Sequence, residues 1–172
     1  YLEGVEPIEP RLKASDPAAI ILLEEKMSAV RVAIESKKSL VELQDTRDIS
    51  ATRGVWSWFA EEPLDQMDPP DHNWADFIGA QFCHVVTDLR SRVSLETFES
   101  VRRAMILAGE AILRRNVSAD YTNIAVMGST VVAVAGETFD RPDWVAAARK
   151  KLLEVEDSFA RHGSFPEYNS PT

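Results

Sequence analysis

The sequence predicts a mainly α fold built of antiparallel helical hairpins, and three observations carry that reading. Apolar residues recur at spacings of three and four through most of the chain, residue types that cap or end helices stand at the boundaries, and the turns between are short. Short turns make consecutive helices antiparallel neighbours. A chain of 172 residues suits one domain with a core of its own, and its 45% hydrophobic content is that of a folding chain rather than a disordered one.

Residues 1–14, "YLEGVEPIEPRLKA", contain Pro7 and Pro10 and no helical period, so they read as an extended arm. Ser15 or Asp16 then caps a first helix over 15–37, with Pro17 in its first turn. Residues 38–73 lack a sustained period but carry Trp56 and Trp58, and they read as a long ordered excursion of the kind that is often functional. Four more helices are expected over 74–90, 95–115 with Ser94 as cap, 122–137, and 141–162 with Asp140 as cap and Gly163 as its end.

The third of these, "NIAVMGSTVVAVAG", is apolar or small on nearly every side. It should be the most buried element and enclosed all round, although Val131-Val132 leaves a buried strand open as an alternative. An enclosed helix between two that bear charged stripes implies two layers, as in bundles and in toroids of helical hairpins.

The net charge of −9 disfavours nucleic-acid phosphates and anionic membranes as partners and leaves small molecules, glycans and proteins. No apolar run approaches the roughly 18 residues of a membrane span, and residues 1–14 lack the basic start and apolar block of a signal peptide. Cys83, the single cysteine, reads as a small buried side chain. The triplet Asn116-Val117-Ser118 bears on glycosylation only in a secreted chain, so the compartment stays open. There is no phosphate-binding glycine loop, paired-cysteine site, HExxH or GxSxG, and neither a metal nor a cofactor is expected.

Chemistry concentrates instead in three polar and aromatic clusters at helix boundaries, "DPPDHNWADF" (68–77), "SADYTNI" (118–124) and "FPEYNSPT" (165–172). In a two-layer ring such boundaries converge on one mouth, which predicts that His72, Asn73, Tyr121, Asn123, Glu167 and Tyr168 surround one cavity. Read separately, Asp71 and Asn73 cap a helix, Tyr121 packs, and Asn123 satisfies a helix end. His72 stands out because an imidazole titrates near neutral pH, whereas His84 lies within a helix and His162 suits a helix C-terminus.

The stretches "DHNWADFIG", "RRNVSADYTNI" and "GSF" followed by "EYNSPT" resemble the (α/α) toroid of six helical hairpins found in polysaccharide lyases of the heparinase and alginate lyase kind and in related glycoside hydrolases. The resemblance covers roughly residues 72–172. It implies a ring with a sugar-binding cleft, in which His72 and Asn73 contact or neutralise a substrate carboxylate and Tyr121 or Tyr168 acts as base or acid. For hydrolysis the paired carboxylates are Asp76 and Glu167. Trp56, Trp58, Trp74, Asn123 and Asn169 complete the set as sugar contacts. The paired Asn-His motif of the lyases, with its downstream tyrosine, is not reproduced at its usual spacing.

A full ring needs about twelve helices of ordinary length, so the five expected here form part of one. Further helices, from a second segment or subunit, are expected to complete it, with Thr172 at a cleavage point or before a gap and with Glu167, Tyr168 and Asn169 partly buried. Two other functions fit the same residues: a non-catalytic scaffold whose tryptophans bind a partner, and a toroid used for an unrelated small-molecule reaction.

Overall fold

A computed structural model describes residues 40–57 and 64–165. The expected arm, the helix over 15–37, Trp58 and the segment holding Glu167, Tyr168 and Asn169 lie outside the described residues. Among the described residues from 64 onward four helices follow one another: α1 (Trp74–Thr87), α2 (Leu95–Arg115), α3 (Thr122–Thr138) and α4 (Pro142–His162), with a short 3-10 turn at Arg90–Arg92 between the first two. The protein is mainly α, and residues 122–137 are helix rather than strand.

The boundaries show which local signals prevailed. α1 stops at Thr87, before the expected 90: the Leu89 amide reaches five residues back to the His84 carbonyl, a wider closure than the α-helical one, and the chain then tightens into the 3-10 turn as the Arg92 amide donates to the Leu89 carbonyl. Ser94 caps α2 as expected, its hydroxyl accepting from the Thr97 amide at 3.1 Å. Asn116 ends that helix in the left-handed region, and Gly163 ends α4 in the same way. At the start of α4 the capping position falls on Arg141 rather than Asp140. Asp140 itself adopts φ of 57°, which reverses the chain within three residues, while Arg141 lies over the Trp144 ring at 4.5 Å.

Contacts give the helix directions. Arg115 meets Asp76 while Arg90 lies over Phe98; Ile112 approaches Gly128 while Arg102 lies over Phe139; Gly136 faces Val145 while Asp120 meets Ser158. Each set of numbers crosses, so α1 and α2, α2 and α3, and α3 and α4 are antiparallel pairs. α1 and α3 advance in step instead, Asp76 against Gly128 and Gly79 against Val131, and therefore run parallel. Their close approach needs both glycines. A Cβ at 79 would lie 2.8 Å from Val131 Cγ1, and one at 128 would lie 2.5 Å from Asp76 Oδ1.

The core gathers Phe82, Met105, Val131 and Val132 from the first three helices and Trp144 from the fourth. Trp56 belongs to it as well, 1% exposed, edge-to-face with Phe82 at 5.8 Å and donating its indole N–H to the Leu40 carbonyl. This corrects the expectation that Trp56 contacts a sugar. Burying a ring of that size contributes about 4–6 kcal/mol of transfer free energy, which a surface position would forgo.

The excursion around Trp56 is a closed loop. Gln44 pairs with Trp56 in an antiparallel bridge and donates its side-chain amide to the carbonyls of Gly54 and Ala104, pinning the loop to α2. Gly54, at φ of 89°, lies so close to α2 that a Cβ would stand 2.1 Å from the Leu107 carbonyl oxygen. Asp45 closes the loop from inside, accepting from Arg47, Ser50 and Thr52.

α3 is less enclosed than its composition suggests. It packs on α1, α2 and α4 and buries nine of its 17 residues, yet Asn123, Val126, Thr130 and Glu137 form an open stripe along it. The expectation of a helix enclosed on every side is corrected accordingly. Small residues such as Ala125, Gly128 and Gly136 mark close helix contacts, and on the open stripe the apolar Val126 simply faces outward.

Candidate functional site

The helix directions gather four chain segments at one end of the bundle. α1 and α3 begin there, and α2 and α4 end there, with Asp120 and Ser158 joined by a 2.5 Å hydrogen bond and Phe165 leaving α4 stacked against Phe159. Two of the three clusters, 68–77 and 118–124, are thus brought together, and of the third only Phe165 is among the described residues.

At its centre lies a linked set of side chains. The Arg115 guanidinium donates one N–H to Asp76 Oδ2 at 2.7 Å and another to Asn73 Oδ1 at 2.9 Å. Asn73 Nδ2 in turn donates to the Tyr121 hydroxyl oxygen at 3.0 Å. Residues 48 positions apart therefore touch, because α1 and α3 are parallel and in step. Asn73 occupies the capping position of α1 without a side-chain cap bond, its amide being committed to Arg115 and Tyr121. Asp71 does the local work, accepting from the Asn73 backbone N–H at 2.9 Å.

Burial sets the electrostatics. Asp76 is 0% exposed, and the loss of hydration pushes its carboxyl up to about 6, with the Arg115 cation and its hydrogen bond opposing that rise. Its Oδ1 and the Arg115 Nε have no hydrogen-bond partner. His72 is half-buried, and desolvation together with the nearby Arg115 and Arg114 cations holds its imidazole below its ordinary value. His72 is consequently a neutral donor and acceptor near pH 7, and not a cation.

Of the residues expected to contact ligand, Tyr121 is 41% exposed, Asn123 lies on the open stripe of α3, and Trp74 packs edge-to-face on Phe77, itself 37% exposed. These present amide, phenol and aromatic surface at the same end. Asp76 does not, being closed off beneath Arg115, so the carboxylate expected beside a glycosidic bond is an internal anchor. The residue missed from the sequence is Arg115. As the last residue of a helix it carried only the ordinary signal of a cation near a C-terminus.

Elsewhere, a cavity of about 260 Å³ lies between α2, α3 and α4, lined among others by Ile112, Ile124, Ser129 and Lys151. Among the described residues, none of the expected site residues lines it. Cys83 is buried and its thiol pushed up to about 11, which leaves it inert as a nucleophile. Among the described residues no group of His, Cys, Asp and Glu is arranged to hold a metal ion, and no helix is long and apolar enough to cross a membrane.

The chain belongs to a family described as a domain of unknown function (DUF8769), whose model matches residues 28–172. No curated protein and no solved structure matches it.

Proposed function

We propose that this chain forms part of an (α/α) toroid of a carbohydrate-active enzyme, with its glycan-binding mouth at the end of the bundle where α1 and α3 begin. The observation that carries the reading is the Asn73–Tyr121 contact across parallel helices. Parallel α1 and α3, each with an antiparallel partner, are the arrangement that inner and outer helices of such a ring would have. The open stripe of α3 and the exposed Leu152 and Leu153 of α4 are surfaces that further helices of a second segment or subunit would meet. At the mouth, Tyr121 is the candidate acid or base, His72 and Asn73 the candidate contacts for a carboxylate, and the Trp74 and Phe77 rings a platform for a sugar face.

A second reading, a non-catalytic binding scaffold, is favoured by the burial of Asp76, which leaves no described carboxylate of the expected pair at the surface of the mouth. Native affinity electrophoresis in gels containing uronate polymers or neutral glycans separates the readings when combined with assays for unsaturated uronate and new reducing ends. The enzyme reading expects retardation by at least one glycan, weakened about tenfold by Tyr121→Phe or Asn73→Ala, together with product formation. Retardation without product supports the scaffold. No retardation by any glycan refutes both carbohydrate readings.

A further inference from the structure

We infer that Asp76, Arg115 and Asn73 form a one-way hydrogen-bond chain that turns the Tyr121 hydroxyl hydrogen outward, so that Arg115 is a positioning residue and the mouth selects a ligand group that accepts a hydrogen bond. The direction of the chain follows from which atoms can donate. A guanidinium has only donors, so the Asn73 atom facing Arg115 at 2.9 Å must be its carbonyl oxygen. The remaining end of the amide is then NH₂, which can only donate, and it lies 3.0 Å from the Tyr121 oxygen. Tyr121 must accept there, and its own hydrogen is left for another partner. With Tyr121 41% exposed, that hydrogen points to whatever occupies the mouth.

Asp76 fixes the origin of the chain. It is fully buried, its Oδ2 holds Arg115 at 2.7 Å, and Gly128 packs so closely on its Oδ1 that not even a methyl group fits between them. The carboxylate therefore cannot swing away, and Arg115, with only 20% of its side chain exposed, is held in one orientation. A free asparagine amide samples two faces by rotation about its last bond. This one is held in the face that makes the phenol a donor. An ester, carboxylate or hydroxyl oxygen of a ligand meets that donor well, whereas an ammonium group would face hydrogen against hydrogen.

The identity of the ligand rests on the carbohydrate reading, but the chain does not, and it can be tested without any ligand. Side-chain amide resonances of nitrogen-labelled full-length chain would be assigned by the pair lost in Asn73→Asp, and their exchange with solvent measured. The expected result is two inequivalent Asn73 amide protons, one of which exchanges about tenfold faster once Tyr121→Phe removes its acceptor. Arg115→Lys, which keeps the charge but not the fork, should release both protons to a similar extent. Tyr121→Phe alters an exposed side chain and so serves even if the Arg115 variant does not fold. Unchanged exchange in Tyr121→Phe, or protection that survives in a folded Arg115→Lys, would overturn the chain. A glycan probe that fails to bind while these exchange rates behave as stated removes the carbohydrate reading and leaves the chain standing.

Discussion

Replacing Asp76 by asparagine should make the protein more stable at neutral pH, although it removes one half of a buried ion pair. The carboxyl has its ordinary value of 3.8 in the unfolded chain and is pushed up to about 6 in the fold. Between those two values the folded state binds a proton that the unfolded state has already released. Stability from this group is thus fully present below pH 3.8, declines as pH rises, and is lost once pH passes about 6. Each pH step of one is worth about 1.4 kcal/mol, so the span amounts to roughly 3 kcal/mol. Asparagine keeps the shape and the acceptor for Arg115 but never ionises. Urea unfolding of both proteins from pH 3.5 to 7.5 should show near equality at the acid end and an advantage for Asp76→Asn of about 3 kcal/mol at the other. Taking the difference cancels every titrating group the two chains share. If the unsubstituted protein is instead the more stable at pH 7.5, the attraction of Arg115 outweighs the burial of Asp76, and the reasoning fails.

Gly128→Ala would drive a methyl group into Asp76 Oδ1 at 2.5 Å and Ile112 Cγ2 at 2.9 Å, so these buried side chains would have to shift. A loss of about 2–3 kcal/mol is expected in urea unfolding, and a neutral result would mean that α1 and α3 separate easily. Asp45 behaves oppositely to Asp76: the hydrogen bond from Arg47, helped by those from Ser50 and Thr52, holds its carboxyl well below the ordinary range. The stability it lends is present above pH 3.8 and lost as pH falls through its lower folded value. Asp45→Asn should accordingly cost about 2 kcal/mol at pH 7 and less near pH 3, and a loss that does not shrink in acid would sink this account of the loop.

How far the sequence could be read depended on the range of the interaction concerned. Ser94, Asn116 and Gly163 act within a turn or so of their own position, and the helices they delimit were largely visible in the periodicity of the chain. The helical nature of residues 122–137 and the burial of Cys83 followed from local composition, as did the antiparallel order of consecutive helices from the shortness of their turns. Asn73, Asp76 and Tyr121 were recognisable as chemically rich positions, because amide, carboxylate and phenol groups stand together at helix starts.

What those residues do to one another was settled by tertiary structure. The in-step pairing of α1 with α3 depends on Gly79 and Gly128 meeting partners about fifty positions away, and no local pattern encodes that register. The same packing buried Asp76 and gave it Arg115, buried Trp56 against Phe82, and left one stripe of α3 open. A side chain's type sets which bonds it can make, and that much was present in the sequence. Whether a carboxylate becomes a surface acid or an internal anchor depends on desolvation and on partners supplied from other helices, and those exist only once the chain has packed.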